Sequence, residues 1–460
     1  MATPFDIPAD LDTPVSAFLK LGPLEPRFLL ESVVNGERVG RYSIVGFGEC
    51  DRIRLDDRGL FVNGAFARAT PDSSSLLAAL RMALERAPHL EPAVPNVPFV
   101  GGLVGYASFE MAYRLENLDH GGAGESGPLA EYVATRSLLI FDHTTLRIAL
   151  LHEGSGAERA GLRREVLSLL RGPTPRGTSA TSVGPPQASM KRGDFMHAVD
   201  EVKELIREGE VYQLVLSSRF SGNCDLHPIQ VYRALRHLNP SPYMYFLDLD
   251  DLTVVGSSPE ALVKLDGRRA TLCPIAGTRP RGTDPEEDIR LERELRADPK
   301  EDAEHMMLVD LARNDAGRVA VPGSVTVDPL RTVERYSHVM HLVSEVHATM
   351  AEEYDAFDLF AAAFPAGTVV GAPKIRAMEY IRKLEPAPRG PYAGTVGYFG
   401  HGGSMDQAIT IRTLFFEQDR YSYQAGAGIV ADSIPANEYD EVKAKSAVMQ
   451  AALDLAGELE

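Results

Sequence analysis

The segment Asp298–Asp315, DPKEDAEHMMLVDLARND, gives the most information about the fold. It predicts a helix that starts at Pro299 and runs to about Arg313. Asp298 is a favourable N-cap, proline is favoured at the first helical position, and Glu301 at the third position can support the cap. The N-terminus of this helix is therefore expected to be well defined.

The same helix carries two carboxylates on one face. Glu301 and Glu304 are three residues apart, and Leu308 follows four residues later, so all three share a face. Carboxylates beside an apolar stripe are compatible with a site for a hard cation. A solvated acidic first turn, favoured by the helix dipole, is the simpler interpretation of this helix alone.

A predicted last helix, starting near Pro435, repeats the spacing. Glu438 and Glu441 are three residues apart, and Lys445 lies four residues beyond Glu441. The alternative is a surface ion pair between Glu441 and Lys445, which would contribute only about 0.3–0.5 kcal/mol. Two interpretations of the repeated spacing are open. One is a single Mg²⁺ site shared by the two helices, and the other is two separate solvated faces.

Three further positions have residue types that can carry chemistry. Glu260 follows a Ser-Ser-Pro turn and could be a general acid, although an exposed turn residue is the simpler interpretation. Arg412 ends an apolar run and needs a partner, either a ligand carboxylate or a structural acid. The Gly-Ala-Gly segment 426–428 could form an anion-binding nest, with a strand bulge as the alternative.

Bulk composition limits the class of protein. The chain has 460 residues, a formal net charge of −18 and 44% hydrophobic residues. The acidic balance argues against nucleic-acid and anionic-membrane partners, and no apolar run approaches the roughly 18 residues needed to cross a bilayer. Three widely spaced cysteines disfavour a disulfide framework. We therefore expect a cytoplasmic protein.

The chain is predicted to have two main regions. The Pro/Gly/Ser/Thr-rich stretch 172–189 is the clearest linker candidate. It separates an N-terminal region, residues 1–171, from a C-terminal region, residues 190–460. Similar strings at 101–106 and 393–398 suggest two similar strands from two different sheets.

Local patterns predict elements in the C-terminal region. Asp194 is expected to cap a helix that ends near Glu208. The segment Ala261–Leu272 is expected to form a β-hairpin, because the pair Asp266-Gly267 suits a type I′ turn. Hairpins of this kind favour antiparallel sheets.

Taken in chain order, the motifs of this sequence resemble those of the chorismate-utilising enzymes. This family includes anthranilate, aminodeoxychorismate, isochorismate and salicylate synthases. The strings that carry the resemblance cover nearly all of residues 190–450, and one more lies near the N-terminus. They are FLLESVVNGERVGRYSIVG (Phe28–Gly46), SSPE (Ser257–Glu260), PIAGTRPRG (Pro274–Gly282), KEDAEHMMLVDLARND (Lys300–Asp315), FPAGTVVGAPKIRAME (Phe364–Glu379), PYAGTVGY (Pro391–Tyr398), AITIRT (Ala408–Thr413) and QAGAGIVADSIPANEYDE (Gln424–Glu441).

The resemblance implies a fold, a cofactor and a partner. The fold is α+β, with large packed antiparallel β-sheets and flanking helices, as in the anthranilate synthase large subunit. The implied substrate is chorismate and the implied cofactor is Mg²⁺. The implied partner is a glutamine amidotransferase small subunit that supplies ammonia within a hetero-oligomer such as a heterotetramer.

The resemblance also implies roles for single residues. Glu260 corresponds to the general acid for the departing 4-hydroxyl, and His305 lies beside a metal ligand, near the ring. The implied Mg²⁺ ligands are Glu304 and Glu441, supported by Glu301 and Glu438. The residues implied to hold the substrate carboxylates are Tyr392, Arg412, Gly426, Ala427, Gly428 and Lys445, and those implied to line the ring are Gly277 and Thr278.

Two positions distinguish the reactions within the family. Gln213 stands where the isochorismate and salicylate synthases carry a lysine that activates water, and a glutamine cannot be that base. Ala276 stands where the aminodeoxychorismate synthases carry a lysine that attacks the ring. Ammonia is therefore the expected nucleophile, added at C2, and the expected products are anthranilate and pyruvate.

Asp358 departs from the pattern of some family members, which carry a histidine there. This departure leaves open a second enzyme reading, a 2-amino-2-deoxyisochorismate synthase of secondary metabolism that does not eliminate pyruvate. A non-catalytic homologue that binds chorismate is an alternative from another class. The presence of Glu260, Glu304 and Glu441 favours an enzyme.

A regulatory site is also implied by the resemblance. The LLES element Leu29–Ser32 and the segment Pro242-Tyr243-Met244 resemble the two halves of the family's tryptophan-binding site. Tyr243 and Met244 could pack an indole, and Glu31 or backbone carbonyls could take the ammonium group. The alternative is that both segments are ordinary core strands, with Ser32 and Tyr243 satisfied internally.

Overall fold

The structure is a computed structural model that describes residues 4–34, 38–118, 127–175, 182–335 and 339–458. In these ranges the helices are α1 Pro14–Lys20, α2 Ser73–Arg86, α3 Met111–Leu115, α4 Gly156–Leu170, α5 Arg192–Arg207, α6 Pro228–Leu238, α7 Pro285–Ala297, α8 Pro299–Gly317, α9 Ala356–Ala363, α10 Lys374–Leu384 and α11 Pro435–Ala456. Short 3₁₀ turns are formed by Gly22–Leu24, Gly367–Val369 and His401–Gly403.

The strands of the N-terminal region are β1 Phe5–Pro8, β2 Pro26–Glu31, β3 Val33–Val34, β4 Arg38–Val39, β5 Tyr42–Asp56, β6 Gly59–Val62, β7 Ala65–Arg68, β8 Gly102–Ala107, β9 Ala130–Asp142 and β10 Arg147–His152. The later strands are β11 Gln187–Ala188, β12 Gln213–Asn223, β13 Tyr243–Asp248, β14 Thr253–Ser258, β15 Ala261–Asp266, β16 Arg269–Leu272, β17 Ile275–Pro280, β18 Thr326–Val327, β19 Thr332–Arg335, β20 Val339–Val343, β21 Val346–Thr349, β22 Gly371–Ala372, β23 Thr395–Gly400, β24 Met405–Ile409, β25 Thr413–Glu417 and β26 Arg420–Ile429.

Most strands belong to one continuous antiparallel sheet with two arms. The arms start from the long pair β5 and β9. The first arm continues through β2, β13, β14, β25, β26 and β12. The second arm continues through β8, β23, β24, β15, β16 and β21. Tyr243 of the first arm donates a hydrogen bond of 2.9 Å to Asp406 of the second, so the arms meet across the interior.

Helices cover this sheet, and a small sheet adjoins it. Helices α5 and α6 each pack on α11, and all three pack on the first arm, whereas α8 packs on β17 and β21. Strand β20 lies between β17 and β19 in the small sheet. The expected α+β architecture with packed antiparallel sheets and flanking helices is confirmed.

The predicted helix of the quoted segment is confirmed. It runs from Pro299 to Gly317, and the Asp298 carboxylate accepts hydrogen bonds from the backbone N–H groups of Lys300 and Glu301. The preceding helix, α7, starts with the same device, because Asp284 caps it. Local capping chemistry therefore determines where both helices begin.

Three local expectations are wrong. Helix α5 begins at Arg192, so Asp194 lies in its first turn instead of capping it. The β15–β16 hairpin itself is confirmed, but its turn residues are Gly267 and Arg268. Of these two only the glycine has positive φ, whereas a type I′ turn needs positive φ at both positions. The segment 426–428 lies inside β26, whose register with β12 is unbroken, and forms neither a nest nor a bulge.

The two similar strings are neighbours in one sheet, which corrects the expectation of two sheets. They form β8 and β23, and Gly105 lies opposite Gly397. A Cβ at Gly105 would come within 2.0 Å of the Glu131 carbonyl oxygen, and one at Gly397 within 2.1 Å of the Asp406 carbonyl oxygen. Glycine is therefore required here by the close approach of the next strands.

The linker candidate lies partly outside the described residues. At its C-terminal end, Gln187 and Ala188 pair with Ser221 and Phe220 of β12. The division into regions 1–171, 172–189 and 190–460 remains a prediction. In the described ranges, none of the helices combines the length and apolarity needed to cross a bilayer.

Candidate active site

A cavity of about 300 Å³ brings together residues from both arms, from β17 and from helices α8 and α11. It lies where several chain segments end or turn, which is typical of ligand sites. Eight of the predicted site residues line it: Gln213, Glu260, Thr278, Glu304, Tyr392, Arg412, Gly426 and Lys445. Residues separated by more than 200 positions in the sequence therefore line one cavity.

Glu260 has the environment of a general acid. It lies between β14 and β15, and Thr368 donates a hydrogen bond of 2.8 Å to its Oε1 atom. Burial raises the pKa of Glu260 to about 7, although the hydroxyl of Thr368 and the charges of Arg412 and Lys445 oppose the shift. A carboxyl group that is half protonated near neutral pH can donate a proton. The exposed-turn alternative is therefore wrong.

Two cations and one phenol face the same cavity as Glu260. Arg412 has positive φ between β24 and β25, and its Nη1 atom lies 3.4 Å from Asn239 Oδ1. Lys445 on α11 donates to the Gly426 carbonyl oxygen at 3.1 Å. Tyr392 precedes β23 and is almost fully buried. This group of donors suits a ligand that carries carboxylates.

Glycines on β26 allow two side chains to approach the strand closely. A Cβ at Gly426 would lie 3.0 Å from the Tyr392 hydroxyl oxygen, and a Cβ at Gly428 would lie 2.7 Å from Gln213 Nε2. The glycines therefore make room for polar side chains. Gly426 lines the cavity, whereas Ala427 and Gly428 follow it in the strand.

His341 is a cavity residue that the sequence reasoning missed. It lies opposite Thr278 in the β17–β20 pairing, and its Nδ1 atom is 3.0 Å from Thr278 Oγ1 and 3.2 Å from the Gly277 carbonyl oxygen. Burial lowers the pKa of His341, so the imidazole is neutral near pH 7. Since a carbonyl oxygen only accepts, Nδ1 is the protonated nitrogen and Nε2 is the basic one.

His305 does not occupy the place expected for it. Its side chain is fully buried, and its Nε2 atom lies 2.6 Å from the hydroxyl oxygen of Ser344. It is one residue beyond Glu304 on α8, so it is rotated about 100° away from the face that lines the cavity. The prediction that His305 lies near the substrate ring is therefore wrong, and the histidine that lines the cavity is His341.

The two pairs of glutamates lie around a common region. Burial raises the pKa of Glu304 on α8 and of Glu438 on α11, and a neighbouring carboxylate adds to each shift. The charges of Lys300 and Lys445 oppose both upward shifts without reversing them. Both carboxylates therefore lie near the same two cations. The carboxylates of α8 and α11 are therefore near one another, in the region where the sequence predicts a shared site.

The other two glutamates are paired with cations of the chain, and the Glu441–Lys445 pair is about half exposed, as the surface-pair alternative expects. Arg279 pairs with Glu301 at 2.9 Å, and Lys445 pairs with Glu441 at 2.7 Å. Gln213 Nε2 lies 3.4 Å from Glu304 Oε1. Among the residues that the structure describes, no three His, Cys, Asp or Glu side chains form a ready-made metal cage.

These carboxylates nevertheless fit a Mg²⁺ ion. Mg²⁺ is usually held by one or two protein carboxylates, with the remaining positions taken by water and substrate oxygens. Glu304 and Glu438 are partly buried, each beside another carboxylate, and a divalent cation would offset both costs. The four glutamates are therefore suitable ligands, and their role as ligands remains a prediction.

The two positions that distinguish the reactions both line the cavity. Gln213 and Ala276 face it from β12 and β17. Asp358 is elsewhere, since it completes a capping box at the start of α9 and pairs with Arg81 at 2.7 Å. Asp358, the residue that departs from the family pattern, therefore stabilises the start of a helix.

The two halves of the predicted regulatory element are adjacent. Glu31 lies opposite Met244 in the β2–β13 pairing. Glu31 accepts hydrogen bonds from Tyr232 at 2.5 Å and Arg236 at 3.1 Å, and Tyr243 donates to Asp406. The Glu31 carboxylate is thus already paired with a cation, which leaves backbone carbonyls as the expected acceptors for a ligand ammonium group.

The fold and this cavity define a class of enzymes that act on chorismate. Residues 25–451 match the model of the chorismate binding enzyme family, and the chain belongs to that family. The family predicted from the motifs is therefore confirmed.

Named relatives specify one branch of the family. The chain is 45% identical to anthranilate synthase component 1 of Thermus thermophilus, over 97% of this chain and 96% of the relative. It is 44% identical to the component 1 of Streptomyces coelicolor, over 96% of this chain and 87% of the relative. The solved structure of anthranilate synthase component I from Streptococcus pneumoniae superposes with a TM-score of 0.80 at 35% identity, covering 96% of this chain and 98% of that one.

Proposed function

We propose that the chain catalyses the chorismate half of the anthranilate synthase reaction, as the large subunit of that enzyme. Ammonia adds at C2 of chorismate, the 4-hydroxyl leaves, and pyruvate is then eliminated to give anthranilate. The observation that carries the proposal is the placement of Glu260, Arg412 and Lys445 around one cavity, with Gln213 and Ala276 in its wall. The curated relatives named above support this reaction over the other reactions of the family.

The first step is the loss of the 4-hydroxyl as water. Hydroxide is a poor leaving group, so the departing oxygen needs a proton. Glu260 supplies it, since its raised pKa keeps a large fraction of the carboxyl protonated at neutral pH. Thr368 fixes the orientation of the carboxyl group through the bond to Oε1.

The substrate has two carboxylates, which the cavity binds with separate groups. Arg412, Lys445 and the Tyr392 hydroxyl can hold one carboxylate by charge-assisted hydrogen bonds. The other carboxylate faces the glutamates of α8 and α11, where Glu304 and Glu441, with Glu301 and Glu438, would hold Mg²⁺. The bound ion would neutralise the ring carboxylate and draw electron density from C2.

Ammonia is the proposed nucleophile because neither of the two positions that distinguish the reactions supplies a competing one. Gln213 is not a base that could activate water, and Ala276 has no amine that could attack the ring. In the second step a base must remove the proton at C2 while the bond from the ring to the enolpyruvyl oxygen breaks, and the departing enolate takes up a proton to become pyruvate. His341 is neutral near pH 7 and has a basic Nε2, so it suits that role.

Ammonia is proposed to come from a glutamine amidotransferase subunit in a hetero-oligomer. A glutaminase of that class needs a nucleophilic cysteine beside a base. The thiols of Cys50, Cys224 and Cys273 are free, and burial raises the pKa of each, which makes them unreactive. The component 1 designation of the relatives supports a second component.

Feedback inhibition by tryptophan is proposed at the β2–β13 junction. The support is the adjacency of Leu29–Ser32 to the segment 242–244, which the strand pairing establishes. A place in tryptophan synthesis is part of the same proposal, and a cytoplasmic location is proposed beside it.

A chorismate-consumption assay with and without Mg²⁺ tests the proposed function. The proposal predicts consumption that requires Mg²⁺ and ammonium together. Consumption with Mg²⁺ alone would indicate water as the nucleophile, whereas saturable chorismate binding without consumption would support the non-catalytic homologue.

A further inference from the structure

A buried ion pair lies behind the wall of the cavity that holds the substrate carboxylate. Arg389 donates from Nη2 and Nε to the two carboxylate oxygens of Glu385 at 2.6 and 2.9 Å. The side chains of Arg389 and Glu385 are only 1% and 3% exposed. Neither residue lines the catalytic cavity, so the pair does not touch the substrate directly.

The guanidinium group ties two cavity walls together. Arg389 Nη1 donates to the Val369 carbonyl oxygen at 2.7 Å, and Nη2 donates to the Val215 carbonyl oxygen at 2.8 Å. Val369 follows Thr368 in the 3₁₀ turn, and both valines line the cavity. One planar fork therefore sets the distance between β12 and the turn that orients Glu260.

The Glu385 carboxylate is connected through Ser217 to a third wall of the cavity. Glu385 Oε1 accepts hydrogen bonds from the backbone N–H of Ser217 at 2.9 Å and from its hydroxyl at 2.7 Å. The Ser217 hydroxyl accepts in turn from Gln424 Nε2 at 2.8 Å, and Ser217 lies opposite Gly426 in the sheet. Gln424 and Gly426 both line the cavity.

The segment that precedes Tyr392 is also held in place at Arg389. The Arg389 guanidinium carbon lies 5.8 Å from the centre of the Tyr392 ring and 4.6 Å from that of Phe109. The backbone N–H groups of Arg389 and Gly390 donate to the buried Glu110 carboxylate at 2.7 and 3.0 Å. Arg389 is thus fixed through both its side chain and its backbone.

We infer that the Arg389–Glu385 pair is a positioning element that sets the spacing of Tyr392, Gly426 and Thr368 around the bound chorismate. This inference rests on the proposed function. A buried ion pair is seldom the best choice for stability, because well-packed apolar residues often replace one without loss. Apolar residues cannot supply directed hydrogen bonds to the carbonyl oxygens of Val215 and Val369.

The test replaces the pair with apolar residues of similar volume, Arg389→Met together with Glu385→Leu. The matched control is the pair Arg290 and Glu294, which has the same i,i+4 relationship and the same 2.6 Å contact but is about half exposed. Its double variant Arg290→Met with Glu294→Leu should leave kinetics unchanged. Thermal unfolding, chorismate kinetics and calorimetric binding of chorismate are measured for each protein.

The buried double variant is expected to unfold cooperatively at a temperature near that of the wild type. Its Michaelis constant and dissociation constant for chorismate should both rise by about 10- to 100-fold, the effect of weakening one hydrogen bond to a charged group. A stable double variant whose two constants stay within about twofold of the wild type would overturn the inference.

Arg389→Lys provides a second variant in case the apolar pair does not fold. Lysine keeps the charge but has no planar fork that can reach both carbonyl oxygens. Its Michaelis constant for chorismate is expected to rise while cooperative unfolding is retained, and an unchanged constant would overturn the inference. Wild-type turnover in the same assay reports on the proposed function separately.

Discussion

Thr368 Oγ1 lies 2.8 Å from Glu260 Oε1 and donates a hydrogen bond to it. The two residues are 108 positions apart in the sequence and meet at the catalytic cavity. The bond favours the ionised carboxylate, whereas burial favours the protonated acid, and burial wins. The pKa of Glu260 is therefore set by two opposing effects, burial and the hydrogen bond from Thr368, and the hydrogen bond can be removed on its own.

The first prediction concerns pH. Glu260 must be protonated to donate, so kcat/KM for chorismate should be level below about pH 7 and fall by about tenfold per pH unit above it. Thr368→Val removes a bond that lowers the pKa, so the break should move to higher pH. The measurement is kcat/KM against pH with the concentration of free ammonia held constant.

Glu260→Gln serves as the companion variant for this profile. It should lose most turnover at every pH, since an amide cannot donate the proton. Wild-type activity in Glu260→Gln would show that Glu260 is not the general acid. A pH profile whose break is unchanged in Thr368→Val would show the same.

Some features of this site follow from local sequence and others do not. The start of α8 depends on Asp298 and Pro299, which are neighbours in the chain, and so it was predictable. The position of His341 depends on the pairing of β20 with β17, a long-range contact whose register short motifs do not reveal. His305 adjoins Glu304 in the sequence, but one residue along a helix changes the direction of a side chain by about 100°.

The same distinction explains the outcome for the glycines. Their clustering at 426–428 suggested backbone N–H groups that point at an anion. The structure shows instead that Gly426 and Gly428 leave space for Tyr392 and Gln213. That reason depends on side chains from distant segments, which a single sequence does not bring together.

The second prediction concerns metal dependence. Glu304→Gln and Glu441→Gln should each lower kcat by more than about 100-fold, because loss of even an outer partner of a metal ligand typically costs 10- to 100-fold. Calorimetric titration with Mg²⁺ should show weakened binding in both variants. Thermal unfolding should stay close to that of the wild type.

Glu294→Gln is the matched control, since Glu294 also pairs with a cation one turn away on an exposed helix face. It should keep full activity and full Mg²⁺ binding. Wild-type activity in both Glu304→Gln and Glu441→Gln would refute the assignment of the metal site.

The third prediction concerns the nitrogen source. The isolated chain should make product with ammonium salts at raised pH, where free ammonia is present, and should make none with glutamine. The physical reason is that burial raises the pKa of all three free cysteines, which disfavours the nucleophilic thiolate. Product formation from glutamine by the purified chain would show that the proposed partner is unnecessary.

The fourth prediction concerns tryptophan. If tryptophan binds beside β2 and β13, it should raise the apparent dissociation constant of chorismate, and chorismate should weaken tryptophan binding by the same factor. Ser32→Phe should reduce the inhibition by filling the site next to Glu31. The measurement is a titration of both ligands against wild type and variant.

Two results would count against the regulatory site. Activity that is insensitive to millimolar tryptophan would remove the regulatory role altogether. Unchanged inhibition of Ser32→Phe would show that tryptophan binds elsewhere on the chain.

The proposed reaction is tested most directly by identifying and quantifying the products made from chorismate, Mg²⁺ and ammonium. The placement of Glu260 and His341 in one cavity predicts both proton transfers, and hence equal molar amounts of anthranilate and pyruvate for each chorismate consumed. Accumulation of an aminated product that retains its enolpyruvyl group, with no pyruvate released, would contradict the account.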